Sequence, residues 1–116
     1  MDIWNLSELE VVPHHPVVLQ SDEGAARVVA IELPAGEKLQ EHEVHEHAWL
    51  VVHRGSVDVD VDGRVSTAAA GTLVHWRPRE RRTVRAIDDA LLVLLLAPWP
   101  GPGHPSTPEA VAARAG

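Results

Sequence analysis

Residues 56 to 66 read SVDVDVDGRVS, and no other stretch narrows the fold as far. Val57, Val59 and Val61 alternate with Asp58, Asp60 and Asp62. Side chains on a strand point to opposite faces in turn, so this is a half-buried strand with one apolar and one wet face. Asp62-Gly63 then supplies a tight hairpin turn. The aspartate row raises the question of calcium, but alternate residues on one strand face are read as solvent contacts.

The remaining segments repeat the β signal. VVPHHPVVLQS reads as an extended arm entering a strand, and ARVVAIELP as a strand ending at Pro34. AWLVVHRG is a strand closed by Gly55, while GTLVHW and RTVRAI are short strands around a turn at Pro78. ALLVLLLAPW is an apolar run ending before Pro98, read as a fully buried strand. Short strands at regular spacing with Gly and Pro turns predict an all-β sandwich or barrel. Only the tail looks helical: Ser106 and Glu109 have capping-box spacing and Pro108 stands early in STPEAVAARAG, after the Pro/Gly-rich linker PWPGPGHPS.

Composition bounds the function. At 116 residues the chain is read as one domain. It contains no Phe or Tyr, so Val, Leu and Ala must fill its core. Without cysteine it has no disulfide, thiolate ligand or Cys nucleophile. A formal charge of −7 argues against nucleic acid as a partner. The local exception is Arg77, Arg79, Arg81, Arg82 and Arg85 in RPRERRTVR, read as a solvated rim with an anion site or partner contact as the alternative. The acidic start MDIWNLSELE is not a signal peptide, and the longest apolar run falls short of the about 20 residues that span a bilayer. A cytoplasmic protein without membrane contact is expected.

The chemistry concentrates in EHEVHEHAW, where His42, His45 and His47 fall within six residues of a chain with eight histidines. On a regular strand His42 faces one side and His45 and His47 the other, so one ion on all three requires a bend.

PAGEKLQEHEVHEHAWLVVHRG resembles the first motif of the cupin superfamily: Gly, five residues, His-x-His, three or four residues, Glu, six residues, Gly. Gly36, His42 and Gly55 fit that register, while Val44 and Ala48 stand at its second His and its Glu. The second motif is matched by Gly71 and, one residue late, by Pro78; its histidine position falls on Arg82 or Thr83. The resemblance covers roughly residues 28 to 97 and implies a double-stranded β-helix, the jelly-roll barrel. Residues 1–27 then form an N-terminal arm and first strand, 28–97 the barrel, and 98–116 the linker and short C-terminal helix.

A resemblance of this kind implies a divalent transition metal (Zn, Fe, Mn or Ni) held by histidines. With a bend after His42, the expected ligands are His42, His45 and His75, with His47 pointing outward. Trp49 and Trp76 are expected to line a substrate pocket with Arg82, which pairs well with carboxylates. Glu43 and Glu46 are expected to face solvent, and His14, His15, His53 and His104 to be surface or linker residues. Two functions stay open: a metal-dependent enzyme acting on a small organic molecule, and a metal-free binding or sensor module. A homodimer is expected, since small cupins commonly pair strands or pack sheet faces, with the Trp4 arm as the segment reaching across.

Overall fold

Alternation decides the architecture. In the computed structural model, which describes residues 1–39 and 44–104, nine strands follow one another with no helix among the described residues. They are β1 (Val17–Ser21), β2 (Arg27–Leu33), β3 (Lys38–Leu39), β4 (His47–Arg54), β5 (Ser56–Val61), β6 (Arg64–Ala69), β7 (Leu73–Trp76), β8 (Thr83–Ala86) and β9 (Ala90–Ala97). Two antiparallel sheets result, in the orders β1-β2-β9-β4-β7 and β3-β8-β5-β6. This is the all-β jelly-roll barrel expected. The helix expected over residues 106–116 lies outside the described residues.

The hairpin of alternating Val and Asp is formed as anticipated. Val61 pairs with Arg64 across Asp62 and Gly63, whose φ angles of 52° and 79° are those of a tight left-handed turn. Val57 and Val59 are buried, and the aspartates belong to the other face. There Asp58 accepts a hydrogen bond from the Thr67 hydroxyl at 2.9 Å, and Asp60 accepts one from the Gly63 amide at 2.9 Å. Cross-strand and turn contacts thus occupy the row.

The core is aliphatic, as a chain without Phe or Tyr requires. Val52, Val57, Ala90 and Leu92 are wholly inaccessible, and Trp76 is the aromatic residue buried with them. Each fully buried Val or Leu contributes about 1.5–3 kcal/mol relative to exposure. β9 departs from the fully buried strand expected: Ala90 to Leu92 and Leu96 are buried, but Val93, Leu94 and Leu95 are only half-buried. Its position between β2 and β4 explains the difference. Leu94 borders an internal cavity, while Leu95 pairs with Trp49 on the outer face of the sheet.

Two close approaches position the site. Gly55, at φ 82°, turns β4 into β5 where a Cβ would overlap the Asp89 carbonyl oxygen and the Ala90 Cα. Beyond β9 the chain folds back as a strap. The Gly24 amide donates to the Trp99 carbonyl at 2.6 Å, the Trp99 amide donates to the Ala25 carbonyl at 3.2 Å, and the Arg27 guanidinium lies 5.1 Å from the Trp99 ring centre. The linker is therefore packed rather than merely extended.

A barrel cavity with a buried arginine

Between the sheets lies a cavity of about 130 Å³ lined by Ile31, Leu39, Leu50, Trp76, Arg82, Val84 and Leu94. Its walls come from β2, β3, β4, β7, β8 and β9. Six of the seven described lining residues are apolar, so Arg82 dominates the chemistry of the described wall.

Arg82 reaches the cavity because it continues the inward parity of Val84 and Ala86 on β8, all three being buried. The preceding turn delivers it. Arg79 adopts φ 69° and its amide donates to the Val44 carbonyl at 2.7 Å; the Arg77 amide donates to the Glu80 carboxylate at 3.1 Å. Only 8% of Arg82 is exposed, and its guanidinium lies 4.7 Å from the Trp76 ring centre. Burial lowers its pKa from the ordinary arginine value, and the negative charge of Glu46 partly opposes that. Arginine stays protonated even so. Among the described residues its interactions are the Trp76 face and the field of Glu46, and no hydrogen bond or ion pair ties up its N–H groups.

Glu46 overturns the expectation that it faces solvent. It is 1% exposed, and its Oε2 accepts a hydrogen bond from the Gly101 amide in the strap at 2.6 Å. Burying a carboxylate is tolerable only with such a partner. Gly101 is needed there, because a Cβ would meet the His45 carbonyl. Val44, Glu46, Ala48, Leu50 and Val52 are all buried while the residues between them are not, so the inward series runs unbroken through this segment. That two-residue parity was the signal for Glu46.

The histidines separate accordingly. His42 lies outside the described residues, as does Glu43. His45 is half-buried beneath the strap, its ring 5.9 Å from that of His104, and its buried Nδ1 has no hydrogen-bond partner among the described residues. His75 sits instead on β7 beside His47, with Nε2 2.9 Å from the His47 Nδ1. His45 and His75 thus occupy different clusters rather than one. Trp76 and Arg82 line the cavity, whereas Trp49 stands on the opposite face of β4, half-buried against His47 and His75. His14 is exposed near Glu37, and His53 is half-buried beside Ser7.

The metal implied by the resemblance can be tested against these residues. Of the positions its motifs assign to ligands, Val44 and Ala48 carry buried alkyl groups and Arg82 a buried guanidinium. None of these donates to a metal ion. Among the described residues, no three His, Asp or Glu side chains gather as a metal site. The inward residues described do not fit a barrel metal.

Comparison with known proteins accords with this architecture. A family model described as Cupin domain matches residues 29–98. An RmlC-like cupin protein from Desulfovibrio desulfuricans superimposes with a TM-score of 0.71 at 22% identity, covering 83% of this chain and 96% of that one. An RmlC-like cupin family protein with a double-stranded β-helix fold from Methanocaldococcus jannaschii gives 0.68 at 18% identity, covering 80% and 89%. A cupin superfamily protein from Desulfitobacterium hafniense also gives 0.68, at 9% identity, covering 78% and 84%. No match to a curated protein was found.

Proposed function

The chain belongs to the cupin domain family, and from that premise we propose that it binds a small organic carboxylate in the barrel without a metal, as a binding or sensor module. The observation carrying this reading is Arg82: a buried guanidinium on an apolar cavity, with no carboxylate or carbonyl hydrogen-bonded to it among the described residues. Burying a cation is costly unless a partner offsets it, and a carboxylate matches the planar fork of arginine's donors two by two. Ile31, Leu39, Leu50, Val84 and Leu94 would enclose the ligand body, and the Trp76 ring would hold the guanidinium plane.

The volume sets the size. A dry cavity of about 150 Å³ accommodates benzene, so one of about 130 Å³ suits a branched or cyclic acid of about five or six carbons. Glu46 would bias the site: its charge supports Arg82 but repels a dianion, which favours monocarboxylates.

A metal-dependent reaction on His42, His45 and His75 is the competing reading, and it requires His45 and His75 to leave their separate clusters and converge. Calorimetric titration of the chelator-treated chain with isovalerate, cyclopentanecarboxylate and palmitate separates the two. Binding of the two short acids but not palmitate, weakened about 10- to 100-fold in Arg82→Gln as for loss of a charged hydrogen bond, is the expected result. Equal binding by Arg82→Gln, or binding only after a metal is restored, would overturn the proposal.

A further inference from the structure

The outer face of β4 carries a histidine pair that the barrel cavity does not use. His47 Nδ1 and His75 Nε2 are 2.9 Å apart, the ring centres 5.2 Å apart and the ring planes 12° from parallel. The centre-to-centre distance exceeds the N···N distance by just two imidazole radii. The rings therefore lie edge to edge in nearly one plane, each presenting a nitrogen to the other. Trp49, directly opposite His75 in the β4–β7 register, supports both: its ring centre is 5.0 Å from that of His75 and 5.8 Å from that of His47. His75 is exposed, so the pair is open to solvent. Neighbouring Arg77 is drawn toward Glu80, 3.8 Å away.

We propose that His47 and His75 form a surface site for a divalent transition-metal ion, on the opposite side of the sheet from the barrel cavity. Metal–imidazole bonds are about 2.0–2.1 Å long, so two nitrogens at right angles on one ion lie about 2.9 Å apart, whereas a tetrahedral ion spreads them to about 3.4 Å. The observed 2.9 Å is a hydrogen bond between the two rings, and the right-angle arrangement needs the same separation. Square-planar and tetragonal nitrogen and oxygen sites select Cu(II) or Ni(II), and the general affinity order also places Cu(II) first. The two nitrogens point at each other, so each ring must turn by about 45° to aim its lone pair at a common point at right angles. Water or an external ligand would complete the coordination shell. An ion there would join edge strand β7 to β4 by a second kind of bond.

The test uses the full chain without a histidine tag, chelator-treated and titrated with copper(II) chloride. Tryptophan fluorescence and copper paramagnetic resonance are both recorded. The expected result is one site whose spectrum shows two nitrogen donors, with affinity falling in the order Cu(II), Ni(II), Co(II), Mn(II). Losing one arm of a two-armed site forfeits its effective concentration, so His47→Gln and His75→Gln should each weaken binding by about a hundredfold. His53→Gln, on the same strand, and a His14→Gln/His15→Gln double variant should bind as wild type. Trp49→Phe should reduce the quenching while leaving the resonance spectrum intact. Wild-type affinity in either His47→Gln or His75→Gln, or loss of the site in the His14/His15 variant, would overturn the proposal. Circular dichroism checks each fold, and if one single variant does not fold the other decides the matter.

Discussion

The two faces of β4 carry different chemistries. Facing the barrel are Glu46 just before the strand, then Ala48, Leu50 and Val52, all buried. Facing outward are His47, Trp49, Val51 and His53, all half-buried. Among the described residues, His45 and His47 stand off the inward series, while the polar groups on it are an acid and, from the neighbouring turn, an arginine. A one-residue difference in parity separates two chemistries a few ångströms apart. Spacing along a motif is therefore weaker evidence for a site than the face each residue occupies.

The sharpest contrast between the faces is mechanical. Leu50→Ala should cost about 2–5 kcal/mol, because it empties a buried position beside an existing cavity. His47→Gln, three residues away on the outer face, should cost under about 1 kcal/mol, the scale of one exposed hydrogen bond. Urea denaturation of both variants checks the pair, and equal losses would mean the faces are wrongly assigned.

Gly101→Ala probes how the strap meets the inner face. The added methyl would press on the His45 carbonyl and Glu46 side chain, so a loss of about 1–3 kcal/mol is expected by the same denaturation. A neutral result would mean the strap does not seat against β4.

Glu46→Gln should act in two directions. Replacing the charged acceptor should reduce stability by about 1 kcal/mol. Removing a negative charge that acts on Arg82 should tighten carboxylate binding about two- to fivefold. Calorimetry on this variant isolates the electrostatic part, and weaker binding would show that Glu46 orders the arginine more than it repels the ligand. At the bottom of the scale, Asp58→Asn on the far sheet should change stability by no more than about 0.5 kcal/mol in thermal melts.

Much of this molecule could be read from residues alone, for physical reasons. The Val/Asp alternation and the Asp62-Gly63 turn are local signals, and the hairpin they describe is present. Arg82 was legible as the replacement for a lost histidine, since its inward parity with Val84 and Ala86 follows from strand geometry. Glu46 is legible only in part: two-residue parity turns it inward, but the group that makes its burial tolerable is the Gly101 amide, 55 residues away in sequence. Trp49 was misassigned by chemistry: a large aromatic beside a pocket motif suggests lining, but its place across from His75 puts it outside. The His47–His75 pair joins strands 28 residues apart, and only the β4–β7 register reveals it.

The measurement closest to the central claim observes the Arg82 side chain directly. In the metal-free chain with labelled arginine, the side-chain Nε–H resonance absent from an Arg82→Gln spectrum identifies Arg82. Isovalerate should shift that resonance in a saturable way, whereas the isosteric neutral amide should leave it in place, because only the carboxylate forms the paired, charge-assisted bonds. A resonance that moves with neither, or a shift that appears only once a divalent metal is added, would contradict an anion site built on Arg82.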